Sequence, residues 1–359
     1  MDLGTRLLLK HLSALPLPAE ALVLDTGCGT GVIGCCLKKH NPALKVAFRD
    51  MDALALEFTR MNLQLNHLEP SGVESGLLTV EDRRFDLIVS NLPAKAGLPV
   101  LEDFFRNCSS MLTPGGTAAV VIVAPLAETA DLWIRRYGYI ITKEEHTANH
   151  SVFFFIPGKT PGASLPGGLH PYLRKNTTFL LAGKPLNLQT VYGLGEFDTP
   201  SYASCLAAEL LAPIRLSGSA LFYNPAQGLL PCFVAAGKDQ KPENLFLAGR
   251  NLLSLLISAE NAQKTGVPAG ILHVPTVETL VKQLPPKSLS LLAAFPDSAG
   301  CTGEEEALTE TARQVLKPGG YFLVTGKSSD LARLEKLGKG FLRRQHKKNR
   351  GYRSILFTP

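Results

Sequence analysis

The first half of the chain alternates between two patterns of apolar residues. Segments with apolar positions at helical spacing are separated by short, mainly apolar runs of strand length. The predicted helices are 3–14, 31–40, 53–66, 98–112 and 126–137, and the predicted strands are 21–26, 45–50, 85–90, 117–124, 139–146 and 151–156. Strands that are apolar throughout are typical of parallel sheets covered on both faces. The pattern therefore predicts a doubly wound α/β domain.

The helix predicted over 53–66 carries large apolar residues at intervals of three and four. They are Leu54, Phe58, Met61 and Leu65. This spacing predicts one apolar face on the helix. The stretch that follows, 68–84, is short and irregular, and its pattern defines no strand end.

A segment rich in proline and glycine, 157–178, predicts a linker. Beyond it the order of elements repeats, with a predicted hairpin at about 187–197 ahead of the first helix. The clearest internal match joins 316–320, LKPGG, to 112–116, LTPGG, and each precedes an apolar strand. The sequence therefore predicts two tandem Rossmann-like domains, each with a seven-stranded, mostly parallel sheet. Their predicted bounds are 1–156 and 179–359.

A glycine-rich turn lies between the first predicted strand and the helix after it. Residues 23–34 read VLDTGCGTGVIG, and Asp25 ends the strand. The three glycines of the turn are Gly27, Gly29 and Gly31. Such a turn needs positive φ and lets backbone N–H groups approach a ligand closely. With Asp50 about twenty residues further on, the motif fits either a dinucleotide or S-adenosylmethionine (SAM).

Three features favour SAM over a dinucleotide. Gly27 follows Asp25 closely, the strand 85–90 runs into an Asn-x-Pro turn at 91–93, and a Pro-Gly-Gly turn at 114–116 precedes the next strand. We therefore predict a SAM-dependent methyltransferase domain. A glycine turn that holds no ligand is the alternative, although glycines destabilise a helix start unless the space is needed.

The second copy keeps the predicted architecture but replaces the polar residues of these motifs. The aligned pairs, first copy before second, are Asp25 and Phe222, Gly29 and Ala226, Asp50 and Gly249, and Asn91 and Ala294. Because the acids and the amide are replaced, we expect the second domain to be a degenerate copy that does not bind the cofactor.

Charge and cysteine usage narrow the class of protein further. Residues 333–353 hold nine Lys and Arg against one acid, in a chain of net charge +6. The seven cysteines include no Cys-x-x-Cys pair and the eight histidines show no metal spacing, so we expect neither a disulfide framework nor a metal site. Lys10 and His11 interrupt the first apolar run, which favours an amphipathic helix over a signal peptide. We expect a cytoplasmic protein without a membrane span.

The opening residues, the glycine turn and the Asn-x-Pro turn together resemble a known family. Residues 2–9, DLGTRLLL, match the opening of the active domain in the tandem-domain rRNA guanine-N2 methyltransferases of the RsmC type. Asn91-Leu92-Pro93-Ala94 partly matches the Asn-Pro-Pro-Phe signature of that family. The resemblance implies one active and one degenerate class I methyltransferase domain, SAM as cofactor, and guanine N2 of ribosomal RNA in the small subunit as acceptor.

The resemblance also implies roles around the cofactor. Asp25 is expected to hold the positively charged methionyl end, directly or through water, and amides of the glycine turn to approach the ribose and carboxylate. Asp50 is expected to accept charge-assisted hydrogen bonds from the ribose hydroxyls. Met51 is expected to lie against the adenine, and Glu74 is a further candidate for that contact. Asp52 is expected to cap the helix at 53.

Asn91 is the residue expected to carry the chemistry. Methyl transfer from a sulfonium is an in-line displacement, so the protein orients and dehydrates the reactants. If Asn91 Oδ1 and the Leu92 carbonyl accept the two hydrogens of an exocyclic base amine, its lone pair turns toward the methyl group. Pro93 would fix the turn that presents the carbonyl. The alternative is that Asn91 only forms a turn at the strand end.

The basic C-terminal stretch is the candidate RNA contact. The cations proposed to bind RNA are Arg343, Arg344, Lys347, Lys348 and Arg350. Like charge at this density is costly unless phosphate is near. We therefore predict that the degenerate copy docks RNA, whose splayed or single-stranded bases reach the active cleft. The alternative is a solvated hairpin with a turn at Asn349 and Gly351.

Two alternative functions stay open at the level of sequence. Ala94 stands where the family carries an aromatic residue that stacks on a flipped base, which leaves SAM-dependent methylation of a protein side chain or a small molecule. The other alternative is a non-catalytic RNA-binding protein. The intact Asp25, Asp50 and Asn91 argue against this second alternative.

Overall fold

The helices and strands of the first half follow the alternation that the apolar pattern predicts. The computed structural model describes residues 2–79, 83–158, 168–237, 241–296, 303–337 and 340–359, and the chain divides into two units, Met1–Tyr172 and Leu173–Pro359. The helices of the first unit are α1 (Leu3–Leu12), α2 (Val32–His40), α3 (Ala53–Leu65), α4 (Leu98–Met111) and α5 (Ala127–Arg136). Its strands are β1 (Leu22–Thr26), β2 (Lys45–Asp50), β3 (Gly72–Ser75), β4 (Phe85–Asn91), β5 (Leu112–Val123), β6 (Tyr139–His146) and β7 (His150–Pro157). The helices and strands predicted between residues 3 and 156 are confirmed, with ends that shift by a few residues.

The strands of the first unit form one sheet in the order β3-β2-β1-β4-β5-β7-β6. β1 pairs in parallel with β2 and β4, whereas β7 runs antiparallel to β5 and β6. The apolar core on one face includes Leu8 of α1, Leu37 of α2, Leu56 of α3 and Phe48 of β2. β2 lies beside β1 on one side, and β4 lies beside β1 on the other, so the direction of the strand order reverses at β1. The carboxyl ends of β1 and β4 therefore border the crevice where doubly wound sheets bind ligands.

β3 and β5 show where backbone geometry departs from the apolar pattern. β3 has only four residues and pairs with the end of β2, so it is too short to show a period. The Pro-Gly-Gly stretch at 114–116 lies inside β5, where the register shifts opposite Phe85 and Leu87. Gly115 adopts a φ of +82° there. The prediction of a turn ahead of the strand is therefore wrong, because these residues form a bulge within it.

The apolar face predicted for α3 is not the face that packs on the sheet. The buried residues of this helix are Ala53, Leu56, Thr59 and Leu63. In contrast, Phe58 is 45% exposed, Met61 47% and Leu65 74%. The predicted face is wrong because the helix packs through these buried residues, and Thr59 among them lies against Gly31 of the glycine turn.

The second unit repeats the fold of the first and begins with an extra hairpin. Its helices are α6 (Tyr202–Leu211), α7 (Leu229–Ala235), α8 (Leu252–Lys264), α9 (Glu304–Val315) and α10 (Ser328–Leu337). Its strands are β8 (Leu173–Leu181), β9 (Lys184–Val191), β10 (Ser219–Tyr223), β11 (Asn244–Gly249), β12 (Ala269–His273), β13 (Leu289–Ala294), β14 (Leu316–Lys327), β15 (Leu342–Asn349) and β16 (Tyr352–Thr358). The seven-stranded sheet has the order β12-β11-β10-β13-β14-β16-β15, which is the topology of the first sheet. The predicted pair of tandem α/β domains is confirmed.

The hairpin of the second unit lies earlier in the chain than the sequence predicts. β8 and β9 pair over 173–191, whereas the prediction placed the hairpin at about 187–197. β8 also takes up the last residues of the predicted linker 157–178, and 159–167 of that linker lie outside the described residues.

Within the described part of the chain, no helix is long and apolar enough to cross a bilayer.

Candidate active site

Three strand ends of the first sheet bring the predicted site residues to one edge. Gly27 follows β1, Asp50 ends β2 and Asn91 ends β4. A cavity of about 140 Å³ opens at this edge. Five of the predicted residues line it: Gly27, Asp50, Met51, Asn91 and Pro93. The motifs that lie far apart in sequence therefore share one site.

The glycine turn is shaped by contacts within the protein. Gly31 adopts a φ of +77° at the start of α2, and a Cβ there would lie 2.8 Å from Cγ2 of Thr59. Thr59 Oγ1 donates a hydrogen bond of 2.9 Å to the Gly29 carbonyl. The Gly29 N–H in turn donates to Asp50 Oδ2 at 2.8 Å. The turn is thereby held against α3 and against the acid that ends β2.

Asp50 is anchored by backbone amides. Its Oδ2 accepts from Gly29 N, and its Oδ1 accepts from Asp52 N at 2.9 Å. Burial raises the pKa of Asp50, and hydrogen bonds from the amides of Asp52, Gly29 and Met51 act in the opposite direction by stabilising the charged form. A carboxylate has about four lone-pair sites, so Asp50 keeps room for a ligand donor. Asp52 caps α3 by accepting from Leu54 N at 2.9 Å, which confirms the predicted helix cap.

Asp25 is fully buried and does not line the cavity. Its Oδ2 accepts from Gly34 N in the first turn of α2 at 2.8 Å. Its Oδ1 has no hydrogen-bond partner among the described residues. Burial raises the pKa of Asp25 to about 7, while the Gly34 hydrogen bond acts to lower it. Asp25 therefore caps the first turn of α2 through Oδ2, while Oδ1 remains available as an acceptor. Its contact with the methionyl end of SAM stays a prediction.

The side-chain amide of Asn91 is oriented by the first turn of α1. Asn91 Nδ2 donates to Asp2 Oδ2 at 3.0 Å and to Thr5 Oγ1 at 3.1 Å. Since a carboxylate only accepts hydrogen bonds, the amide nitrogen must face Asp2. Asn91 Oδ1 is then the atom left to accept from another donor. Leu92 is buried and donates its N–H to the Val121 carbonyl at 2.9 Å, which fixes the Asn-x-Pro turn on β5.

Sequence reasoning missed an aromatic residue in the cavity wall. Tyr172, from the predicted linker, is 1% exposed, and its hydroxyl accepts from Leu78 N at 3.3 Å. Burial raises the pKa of Tyr172 to about 12, so it stays neutral. Gly76, Leu77, Leu78 and Ala96 complete the wall. An aromatic side chain within a Pro- and Gly-rich segment is the signal that could have found Tyr172.

Glu74 does not reach the cavity. It lies in β3 and forms an ion pair with Arg83. The walls next to β3 are instead formed by the residues that follow the strand, Gly76, Leu77 and Leu78. The candidate role of Glu74 against an adenine is therefore not supported by its position.

Among the described residues, no group of three His, Cys, Asp or Glu side chains could hold a metal ion.

The second unit keeps the backbone of the turn without its polar side chains. Asn224, Ala226 and Gly228 have φ values of +55°, +51° and +88°, like the three glycines of the first turn. Phe222 pairs with Leu247 as Asp25 pairs with Phe48, so it occupies the place of the buried acid. These equivalences agree with the sequence prediction of a degenerate copy.

Two further positions explain why this copy lacks the site. Gly249 ends β11 where Asp50 ends β2, and a Cβ on Gly249 would lie 2.6 Å from Asn224 Oδ1. The place of Asn91 is taken by Phe295, because Phe222 pairs with Ala293 as Asp25 pairs with Val89. The predicted equivalence of Asn91 with Ala294 is wrong by one residue, and a register shift near Ser219 accounts for the difference.

β15 and β16 form the hairpin that one interpretation of the basic stretch predicts. Every residue of β15 is exposed, and the turn is made by Arg350 and Gly351, both with positive φ. Lys347 forms an ion pair with Glu209, and Arg350 donates to the Tyr202 hydroxyl at 2.6 Å. The hairpin is thereby confirmed, with its turn at Arg350 and Gly351 and not at Asn349 and Gly351, since Asn349 is the last residue of β15. Whether its cations bind RNA stays a prediction.

The charge of this edge strand is not a requirement of the fold. β15 holds four cations and no acid, a formal charge of +4, whereas the equivalent β6 holds one cation and two acids, a formal charge of −1. The cations of β15 are Arg343, Arg344, Lys347 and Lys348. Two strands at the same position in the same topology therefore carry opposite charge.

The doubly wound sheet, the glycine turn held by an acid after β2, and the Asn-x-Pro turn after β4 are features of the class I methyltransferase fold. Residues 1–135 match the family model of the methyltransferase small domain.

Individual curated proteins match part of the chain. It is 38% identical over 125 residues to the ribosomal RNA small subunit methyltransferase C of Pseudoalteromonas translucida, covering 34% of this chain and 36% of that protein. It is 38% identical over 138 residues to the protein of that name from Aeromonas hydrophila, covering 36% of this chain and 39% of that protein. The chain thus spans 36% to 39% of the length of these two curated relatives.

One solved structure matches both units. The T. thermophilus 16S rRNA N2 methyltransferase RsmC, solved with AdoMet and guanosine, superposes with a TM-score of 0.72 at 18% identity, covering 99% of this chain and 92% of that chain. At this identity the match establishes the tandem fold.

Proposed function

We propose that this protein is a SAM-dependent methyltransferase that acts on an exocyclic base amine, guanine N2 of ribosomal RNA. The observation that carries the proposal is the Asn91 amide oxygen, left as an acceptor beside the cavity that Asp50 also lines. The curated relatives are named as methyltransferases of the small-subunit ribosomal RNA. The acceptor amine and the cofactor would meet between these two residues.

The residues of the cavity fit the parts of SAM. Asp50 lines the cavity and can accept from the ribose hydroxyls, and charge-assisted hydrogen bonds of this kind are short and strong. Met51, Leu78 and Tyr172 offer apolar walls to the purine. Although Asp25 does not line the cavity, its unpartnered Oδ1 is an acceptor that a cationic methionyl group, or a water bound to it, would satisfy. When bound, SAM supplies an electrophilic methyl group on a sulfonium.

The Asn-x-Pro turn would prepare the acceptor. Asn91 Oδ1 and the Leu92 carbonyl accept the two amine hydrogens, which directs the nitrogen lone pair toward the methyl group. SAM would supply the methyl group, with its sulfur as the leaving group, and positive charge would develop on the amine nitrogen. The two oxygens stabilise that charge because they are already oriented before the reaction. The extra proton leaves the product amine to water.

Transfer of label from SAM tests this function and separates it from its alternatives. The protein would be incubated with methyl-labelled SAM and either small ribosomal subunits from cells lacking the protein or a protein extract. Label in N2-methylguanosine of the ribosomal RNA supports the proposal. Label in protein alone would replace it with protein methylation, and RNA binding without any label would replace it with a non-catalytic role. We place the activity in the cytoplasm, where ribosomal subunits are found.

The cations of β15 are the proposed RNA contact. Reversing Arg343, Arg344, Lys347 and Lys348 to Glu is expected to weaken RNA binding and to reduce the slope of log K against log salt by up to about 3, since each phosphate contact contributes about 0.7 for a single strand. Fluorescence anisotropy at several salt concentrations measures both. The matched control reverses four first-unit cations, Lys45, Arg60, Arg135 and Lys143. An equal loss in both variants would point to net charge rather than a docking strand.

The buried Asp25 predicts a dependence of stability on pH. Burial raises its pKa to about 7, so the folded state keeps a proton that the unfolded state has lost above pH 3.8. Because the folded state binds more protons, the contribution of Asp25 falls as pH rises from about 4 to about 7. Asp25→Asn keeps an acceptor for Gly34 N and is neutral throughout. We expect wild type and variant to have similar Tm at pH 4.5, and the variant to have the higher Tm at pH 8.

A thermal unfolding series from pH 4.5 to pH 8 checks this expectation, and parallel profiles for the two proteins would contradict it.

The protonation of Asp25 also provides a test for its contact with SAM. If a cationic methionyl group lies near Asp25, its charge lowers the pKa of Asp25, and SAM binding near pH 7 releases a proton. Calorimetric titrations in buffers of different ionisation enthalpy measure that proton. Binding without proton release would remove Asp25 from the cofactor contacts.

A further inference from the structure

The first turn of α1 makes a contact that capping of the helix does not require. Asp2 caps α1 by accepting from Thr5 N at 2.7 Å. The same carboxylate also accepts from Asn91 Nδ2, at 3.0 Å to Oδ2 and 3.3 Å to Oδ1. Thr5 Oγ1 lies 3.1 Å from the same nitrogen. The residue at the end of β4 is therefore tied to residues nearly ninety positions away in the chain.

We propose that Asp2, with Thr5, is a positioning residue that fixes which atom of the Asn91 amide faces the acceptor amine. The inference rests on the proposed function. The two ends of an amide have nearly the same size and shape, so packing alone does not distinguish them. With Oδ1 forward, Asn91 accepts from the amine. With Nδ2 forward, two N–H donors would face each other and the amine could not be held.

Electrostatics determines which orientation is stable. In the flipped orientation Asn91 Oδ1 would lie against the Asp2 carboxylate, and both groups only accept hydrogen bonds. In the observed orientation the carboxylate accepts a charge-assisted hydrogen bond from the amide nitrogen, which is stronger than a bond between neutral groups. Asp2 thereby acts through Asn91 without contact with substrate.

The start of α1 is also held in place by packing. Gly4 is buried, and a Cβ on it would lie 2.9 Å from Cδ2 of His150 at the start of β7. His150 pairs with Val123 at the end of β5, next to the strand end that carries Asn91. A larger residue at position 4 would displace the turn that carries Asp2. The close approach therefore supports the geometry of the Asp2 and Asn91 contact.

The second unit supplies the natural comparison. Ser201 caps α6, a helix of ten residues like α1, and accepts from Ser204 N at 3.1 Å. Glu196 also accepts from Ser201 N at 2.8 Å and from Ser204 Oγ at 2.6 Å. The cap position of α6 therefore holds a serine and not an aspartate, and Phe295 at the equivalent strand end has no side-chain amide to orient. An aspartate at the cap position occurs in the unit that has the asparagine. This difference separates the capping role of Asp2 from its contact with Asn91.

The test replaces Asp2 with the cap that the second unit uses. Asp2→Ser is expected to unfold with nearly the Tm of wild type and to bind SAM with unchanged Kd, while kcat falls at least about 10-fold and KM for the RNA changes little. Ser201→Ala is the matched control, expected to lower Tm without lowering kcat. Thr5→Val, which removes the weaker acceptor, is expected to lower kcat by a smaller factor.

A spectroscopic measurement tests the same contact without activity. In ¹⁵N-labelled protein, the two side-chain N–H resonances of Asn91, assigned with Asn91→Ala, are expected to shift and to exchange faster in Asp2→Ser. An unchanged kcat together with unchanged Asn91 resonances would overturn the inference. Equal losses of Tm, SAM affinity and kcat would also overturn it, because they would make Asp2 a structural cap only. If wild type transfers no methyl group, the proposed function fails, and the resonances still report whether Asp2 orients Asn91.

Discussion

Replacing Asn91 with alanine is expected to lower kcat by about 10²-fold or more and to leave the affinity for SAM nearly unchanged. Loss of one preorganised group that stabilises charge in the transition state typically has an effect of this size. Asn91 Oδ1 is assigned to the acceptor amine, whereas the cofactor is held by Asp50 and the walls of the cavity. The loss should therefore appear in the chemical step and not in cofactor binding.

Single-turnover transfer of labelled methyl groups measures the chemical step, and calorimetry measures the SAM Kd. Asn187→Ala is the matched control, because Asn187 is an exposed asparagine of β9 that bonds to Thr178. We expect wild-type kcat for that control. If Asn91→Ala lost SAM affinity as much as kcat, Asn91 would be a structural residue of the strand end.

Asp50→Ala is expected to weaken SAM binding by about 1.5–3 kcal/mol, roughly a 10- to 150-fold rise in Kd. Hydrogen bonds to a charged group contribute this much, and Asp50 is assigned both ribose hydroxyls. The variant also leaves the Gly29 N–H without the acceptor that Asp50 provides in the wild type, which loosens the glycine turn. Both effects act on the cofactor, so kcat at saturating SAM should change much less than Kd.

The neighbouring acid supplies the control for this prediction. Asp52 also caps a backbone amide, at the start of α3. Asp52→Ala is expected to lower stability by about 0.5–2 kcal/mol, the usual cost of a lost helix cap, without a large change in Kd for SAM. Isothermal titration and thermal unfolding of both variants distinguish the two acids. Equal Kd values for Asp50→Ala and wild type would remove Asp50 from the cofactor site.

The alternation of helices and strands could be predicted because each element carries its own signal. Apolar runs, glycine turns and caps are local, and the helix and strand bounds of the first unit follow from them. β3 gave no such signal because four residues are too few to show a period. The packing face of α3 was predicted wrongly because the contact between Thr59 and Gly31 joins two separate elements and leaves no local pattern in the sequence.

The candidate site could be predicted as far as motifs mark it. Asp50 and Asn91 end strands of a parallel sheet, so their meeting at one edge follows from the fold. Tyr172 lines the cavity and contacts Leu78, which lies 94 residues away in sequence. The Asp2 contact with Asn91 spans 89 residues. Neither pairing produces a local pattern, because only the folded chain brings the partners together.

The left-handed backbone of the second turn has a consequence for any attempt to build a site there. Asn224 and Ala226 hold conformations that cost L-residues about 1 kcal/mol or more each, so this turn keeps its shape with glycine at only one of the three positions. A Cβ introduced at Gly249 would lie 2.6 Å from Asn224 Oδ1. An engineered aspartate at position 249 would therefore need a second substitution at Asn224.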